Sequence, residues 1–176
     1  MKNILRILPI VLLLYAFPLS NVKAQDMSGA DVICIKDYYE GYGVVFPADF
    51  IPEIQSAGNI NLRRFTPTVK QIKLGEEILF NQYNAEHSND VRFASFKPLE
   101  DVKQYFYKWN RQYVGYVDEV GNLILEIQML NFSNKRKANR EFEGWQEKLL
   151  YGDGGFYAGN LRRFKLNLTG KKLIIP

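Results

Sequence analysis

The chain has 176 residues, 23 Lys and Arg against 19 Asp and Glu, one His and one Cys. That length suits a single domain, and one cysteine excludes an internal disulfide framework. The formal net charge of +4 owes much to Lys2, Arg6 and Lys23; residues 25–176 hold 20 basic and 19 acidic side chains, a balance that argues against a nucleic-acid binder.

Residues 1–24 read as a secretory signal peptide. Lys2 and Arg6 open it, Ile7 to Leu19 is an apolar run broken by Pro9 and Pro18, and Val22-Lys23-Ala24 offers cleavage after Ala24. The run is short for a bilayer span of ~20 apolar residues, so no membrane span is expected in the mature chain. Cys34 lies well beyond the cleavage site, so a lipoprotein is not expected. It is flanked by Val32, Ile33 and Ile35, which predicts a buried small hydrophobe rather than a reactive thiol. The expected product is an exported, periplasmic or secreted protein, with residues 25–176 forming one α+β domain. Its charge is uneven: residues 25–130 carry 10 basic and 15 acidic groups, residues 131–176 carry 10 and 4. The basic end faces either an anionic partner or the acidic part of its own chain.

In chain order, Asp31 to Tyr39 and Val44 to Phe46 predict a strand pair around Gly41-Tyr42-Gly43. Residues 50–61 read as irregular. A helix begins at Thr66-Pro67-Thr68: either threonine suits the N-cap, Thr66 placing Pro67 first, Thr68 forming a capping box with Gln71. Val69, Ile72, Leu79 and Tyr83, with Ile78 beside them, make its apolar stripe; Gly75 costs it about 0.8–1 kcal/mol unless close packing requires it. Asn84 to Asp90 reads as the end of the helix and a polar loop, and Val91 to Phe96 as a short strand. Pro98 to Val102 suits a helical turn.

Next comes a hairpin. Phe106 to Val117 is rich in aromatic and β-branched residues, and Leu123, Leu125, Ile127 and Met129 alternate with Glu126 and Gln128. Asp118 to Asn122 supplies the turn, with Gly121 or Asn122 at positive φ. Both parities of the first strand mix polar and apolar side chains, which leaves its core-facing side open. Ser133 to Arg140 reads as a basic solvated loop, Trp145 to Tyr151 as a strand, Gly152 to Gly155 as a turn, Phe156 to Leu168 as a strand with Phe164, Leu166 and Leu168 on one side, and Lys171 to Ile175 as a last one. The expected fold is α+β: one main helix on a curved antiparallel sheet of four or more consecutive strands, plus an N-terminal strand pair.

The segments RQYVGYVDEVGN, Trp145 and GDGGFY, following one capped helix, resemble small secreted Bacteroidetes-type proteins without an assigned function, over roughly residues 66–170. The element order is similar to cystatin-like and ketosteroid-isomerase-like folds. That likeness implies a curved sheet around a helix and leaves inhibitor, binding protein and enzyme open.

No motif points to a cofactor or a metal. His87 with Glu86 and Asp90 matches no ligand spacing, and a solvated loop is the expectation. Ser88 or Ser95 lacks a nucleophile elbow, and Gly152 to Gly155 joins two predicted strands rather than cradling a phosphate. Of residues 25–176, 23 are aromatic. Tyr107, Trp109, Arg111, Tyr113, Trp145, Tyr157, Arg162 and Arg163 are the candidate binding residues, on the view that they share an open aromatic–basic sheet face; the competing view makes the aromatics core. The expected function is a non-catalytic binding module for a protein, peptide or envelope glycan. Two alternatives accompany it: a small enzyme or ligand binder with a cavity in a cone-shaped sheet, Glu126 being the residue to test, and an assembly protein pairing through an edge along Phe156–Leu168 or Asp31–Tyr39.

Overall fold

A computed structural model of the chain describes residues 30–50, 62–89 and 97–174. Residues 1–29, with the expected signal peptide, residues 51–61, expected to be irregular, Asp90, residues 91–96, expected as a short strand, and the last two residues lie outside them. Strands β1 (Asp31–Ile33), β2 (Gly43–Val45), β4 (Asn110–Val117), β5 (Leu123–Leu130), β6 (Leu161–Asn167) and β7 (Lys172–Ile174) follow one another across the sheet. β4 to β7 form an antiparallel meander. β2 pairs with β1 antiparallel and with β4 parallel, and β3 (Arg64–Phe65) continues along the same side of β4. The architecture is α+β, as expected, with the strand pair added at the N-terminal end. Among the described residues no helix is long and apolar enough to cross a membrane.

Helix α1 (Val69–Asn89) covers one sheet face. Its N-cap is Thr68: Gln71 Oε1 accepts from the Thr68 amide at 2.8 Å, and Thr68 Oγ1 accepts from the Gln71 amide at 3.3 Å. The helix meets β5 closely enough that a Cβ on Gly75 would stand 2.5 Å from Leu125 Cδ2, so close packing explains the glycine. Beneath it lie Tyr113 of β4, Leu125, Ile127 and Met129 of β5, and Phe164 and Leu166 of β6. The β4–β5 turn has Gly121 at φ 92°, where a Cβ would be strained, and Asp118 Oδ1 accepts from the amides of Val120 and Asn122.

Several expectations are corrected. The helix runs through Asn84 to Asn89 instead of ending there, because Tyr83 and His87, one turn apart, both reach the core. Tyr105 to Trp109 is not strand: α2 (Val102–Phe106) is capped by Asp101, and β4 begins at Asn110. Val102, Phe106 and Trp109, at helical spacing, are all buried. Ser133 to Arg140 holds α3 (Lys135–Glu141), capped by Asn134. Trp145 to Tyr151 forms turns and irregular chain rather than a strand, since Ala138, Phe142, Trp145 and Leu149 pack at helical spacing onto the second sheet face. Residues 156–160 belong to a short helix, α4 (Gly155–Asn160), before β6. Asp31 to Tyr39 keeps only three residues of strand and then turns. Cys34 is exposed, not buried, because the inward positions there go to Ile35 and Tyr39.

The sheet's two outer strands are β1 and β7; Phe156–Leu168 is not an edge, since β6 lies between β5 and β7. The side of β7 away from β6 is closed by one helix side chain. Gln82 Nε2 donates to the Lys171 carbonyl at 2.9 Å, and Gln82 Oε1 accepts from the Leu173 amide at 2.9 Å. The amide copies the donor–acceptor pattern of a neighbouring strand and blunts the edge. Gln82→Leu should lower stability by about 1–3 kcal/mol and give concentration-dependent association through β7. Denaturant melts and light scattering would check it, and an unchanged monomer of unchanged stability is the contrary result.

Candidate functional site

The predicted site residues divide between the two sheet faces. On the α1 side, Arg111 and Tyr113 are fully buried, and Trp109 packs against Tyr105 and Phe106. Arg162 lies on the same face, opposite Met129. Tyr107 is half-buried, and its hydroxyl donates to the Lys36 carbonyl at 3.4 Å. On the far side Trp145, Tyr157 and Arg163 collect around the 132–160 segment. The eight residues therefore do not share one open aromatic–basic face.

Arg111 is the centre of the buried group. Its Nε donates to Glu76 Oε1 at 3.1 Å, and neither side chain is exposed. Its Nη1 donates to the carbonyls of Phe106 (2.9 Å) and Trp109, at and just after the end of α2; the Phe106 carbonyl also accepts from the Trp109 amide at 3.1 Å. The guanidinium lies over the Tyr39 ring, 4.6 Å from its centroid, and the Tyr113 hydroxyl donates to Glu76 Oε1 at 2.8 Å. Glu76 Oε2 and Arg111 Nη2 are buried without a protein partner. Sequence reasoning passed over Glu76, although a signal was there: Ile72, Glu76, Leu79 and Tyr83 follow helical spacing, so an acid occupies the middle of the apolar stripe. Burial raises the Tyr39 phenol to about 12, and burial together with the Glu76 carboxylate holds Tyr113 well above the usual phenol value.

Glu126 projects from the far face, where it lies opposite Val114 and Lys165 and accepts from Gln128 Nε2 at 3.2 Å. Burial, with Glu126 and Asp118 nearby, raises the Tyr116 phenol. Among the described residues the fully buried carboxylate is Glu76 on the opposite face, and its partners are an arginine and a tyrosine. His87 sits on α1, not in a solvated loop: it is 9% exposed, its ring centroid 4.2 Å from that of Tyr83. Among the described residues no three His, Cys, Asp or Glu side chains gather as metal ligands would.

The far face also carries the more accessible arrangement. Gln112 of β4 donates through Nε2 to the carbonyls of Trp145 and Lys148 (the latter 2.8 Å) and accepts from the Leu150 amide at 3.1 Å. One buried amide thus ties down the irregular chain after α3. Arg163 lies over the Tyr151 ring, 4.7 Å from its centroid, and the Tyr157 hydroxyl donates to the Glu141 carbonyl at 2.7 Å. Between them is a cleft of about 260 Å³ bordered by Arg140, Glu141, Glu143, Lys148, Tyr151 and Tyr157. It joins two phenol walls to cationic donors and carboxylate acceptors. No protein-family model, curated protein or solved structure matches the chain.

The buried phenols give the native state an alkaline limit. An unfolded tyrosine ionises near about pH 10, whereas Tyr39 is raised to about 12 and Tyr113 is raised well above its usual value by burial and the Glu76 carboxylate. The unfolded chain therefore loses these protons first as pH rises. Their contribution is whole below about pH 10 and is lost as pH climbs through about 12. Tyrosinate absorbance should show the core phenols still protonated at about pH 11 and ionising together with loss of the circular-dichroism signal. Ionisation of every tyrosine near pH 10 with the fold intact would contradict it.

Proposed function

We propose that the chain is an exported, non-catalytic binding module of the cell envelope, and that its ligand is a carbohydrate seated in the cleft between α3 and residues 148–157. The observation that carries this reading is the lining. Lys148 supplies donors and Glu143 acceptors, Arg140 and Glu141, paired with each other at 2.7 Å, offer their remaining N–H groups and carboxylate oxygen, and Tyr151 and Tyr157 supply aromatic walls. A polyhydroxylated ring has hydroxyls that both donate and accept and C–H faces that pack on aromatics, so it complements such a surface better than an apolar ligand does. The seat is also held in shape before binding, by Gln112 from below and by the Tyr157–Glu141 hydrogen bond at one wall, which limits the ordering cost of association. Arg163 contributes by fixing Tyr151. Arg111 and Tyr113 support the sheet that carries the cleft and do not touch the ligand.

Screening the exported protein against envelope oligosaccharides, followed by titration calorimetry, tests the reading. Arg140 and Glu143 are exposed, so replacing both by alanine should leave stability within about 0.5 kcal/mol while weakening sugar binding at least about tenfold. Sugar affinity unaffected by Arg140→Ala/Glu143→Ala, or no saccharide bound by the unmodified chain, would overturn the assignment.

A further inference from the structure

A second cleft, of about 690 Å³, lies beside the first half of α1 and the turn into β7. Val69 and Leu74 give it an apolar floor, and Lys70, Lys73 and Lys171 surround that floor. Val69 heads the apolar stripe of α1 yet is 50% exposed. Its methyl groups serve this recess rather than the core. Glu77 is the carboxylate among the lining residues, and its Oε1 already accepts from the Tyr38 hydroxyl at 2.5 Å. Three cations therefore face one acid that is already engaged, and α1 brings no acidic residue in its first turn. The placement of Lys171 is enforced by the backbone. Its φ of 53° is the left-handed conformation, uncommon outside glycine, and Gln82 holds its carbonyl. Hydrocarbon open to water, ringed by uncompensated lysines, complements a molecule with an apolar tail and one negative head.

We propose that this cleft binds an anionic amphiphile of the fatty-acid class, its chain on Val69 and Leu74 and its carboxylate among Lys70, Lys73 and Lys171. The inference is independent of the carbohydrate reading, since the two clefts share no lining residue. Each methylene that reaches the floor strengthens binding by up to roughly fourfold, so affinity must rise with chain length. The head group adds the charge requirement.

Calorimetric titration of the full chain with dodecanoate, octanoate, acetate and the uncharged, sugar-free dodecyl octaethylene glycol ether is the test. Dodecanoate, below its micelle concentration, should bind saturably and more tightly than octanoate, with acetate silent and the uncharged ether at least about tenfold weaker. The triple variant Lys70→Glu/Lys73→Glu/Lys171→Glu should lose binding by a similar factor while sugar binding is unchanged. Lys171→Glu alone, at an exposed turn, gives the same direction if the triple variant does not fold. Acetate competing on equal terms with dodecanoate would mark a simple anion site and overturn the proposal. Binding indifferent to the lysine changes would also overturn it, as would association seen only with anionic lipid vesicles and never with monomeric dodecanoate.

Discussion

The Glu76–Arg111 pair closes the space between α1 and the sheet, and four parts of the chain meet there. Glu76 comes from the middle of α1 and Arg111 from the start of β4; the two carbonyls that Arg111 caps lie at and just after the end of α2, and the Tyr39 ring beneath its guanidinium belongs to the β1–β2 connection. Removing two charges from water costs several kcal/mol per ion, and their attraction offsets this only when the remaining donors and acceptors find partners. Here Arg111 has two carbonyls and an aromatic face and Glu76 has a tyrosine hydroxyl, but Glu76 Oε2 and Arg111 Nη2 stay without a protein partner, so the desolvation cost is only partly offset. A helix slipped by one residue, or a strand rotated to its other face, would leave a bare charge in the core. The pair therefore fixes register and orientation more than it adds net stability.

Side-chain amides perform a related task where the sheet meets irregular chain. Gln82 closes β7, and Gln112 anchors residues 145–150. Asn84 accepts from the Leu99 amide and donates to the Leu99 carbonyl, at 2.9 and 2.8 Å. Each supplies a donor and an acceptor to backbone that has no strand or helix partner. This is how segments with little regular structure acquire fixed positions, and both clefts are bordered by such segments.

Much of the fold is legible in the sequence. The capping box at Thr68, the alternation of Leu125, Ile127 and Met129 with Glu126 and Gln128, and the turn at Gly121 each follow from one local rule, and the folded chain obeys it. Other elements required knowledge of a distant partner. Arg111 sits on the core face of β4 because Glu76, 35 positions away, neutralises it, and no alternation rule counts a charged residue as core. Tyr105 to Trp109 has strand-like composition, but the spacing of Val102, Phe106 and Trp109 and the Asp101 cap govern it. The stretch from Ala138 to Leu149 likewise packs at helical spacing under a composition that alternates. The shared aromatic–basic face was not legible: the split of Arg111 from Arg163 onto opposite faces depended on that same unresolved register.

A double-mutant cycle on the buried pair tests its organising role most directly. Stability would be measured for Glu76→Gln, Arg111→Met and the double variant by denaturant unfolding. Each single change strands a buried charge or its partners and should cost about 3–5 kcal/mol. The double variant should cost less than the two together, by more than about 1 kcal/mol. Single changes of under about 1 kcal/mol, or costs that add within about 0.5 kcal/mol, would contradict the account, because the two residues would then not be holding helix and sheet in register.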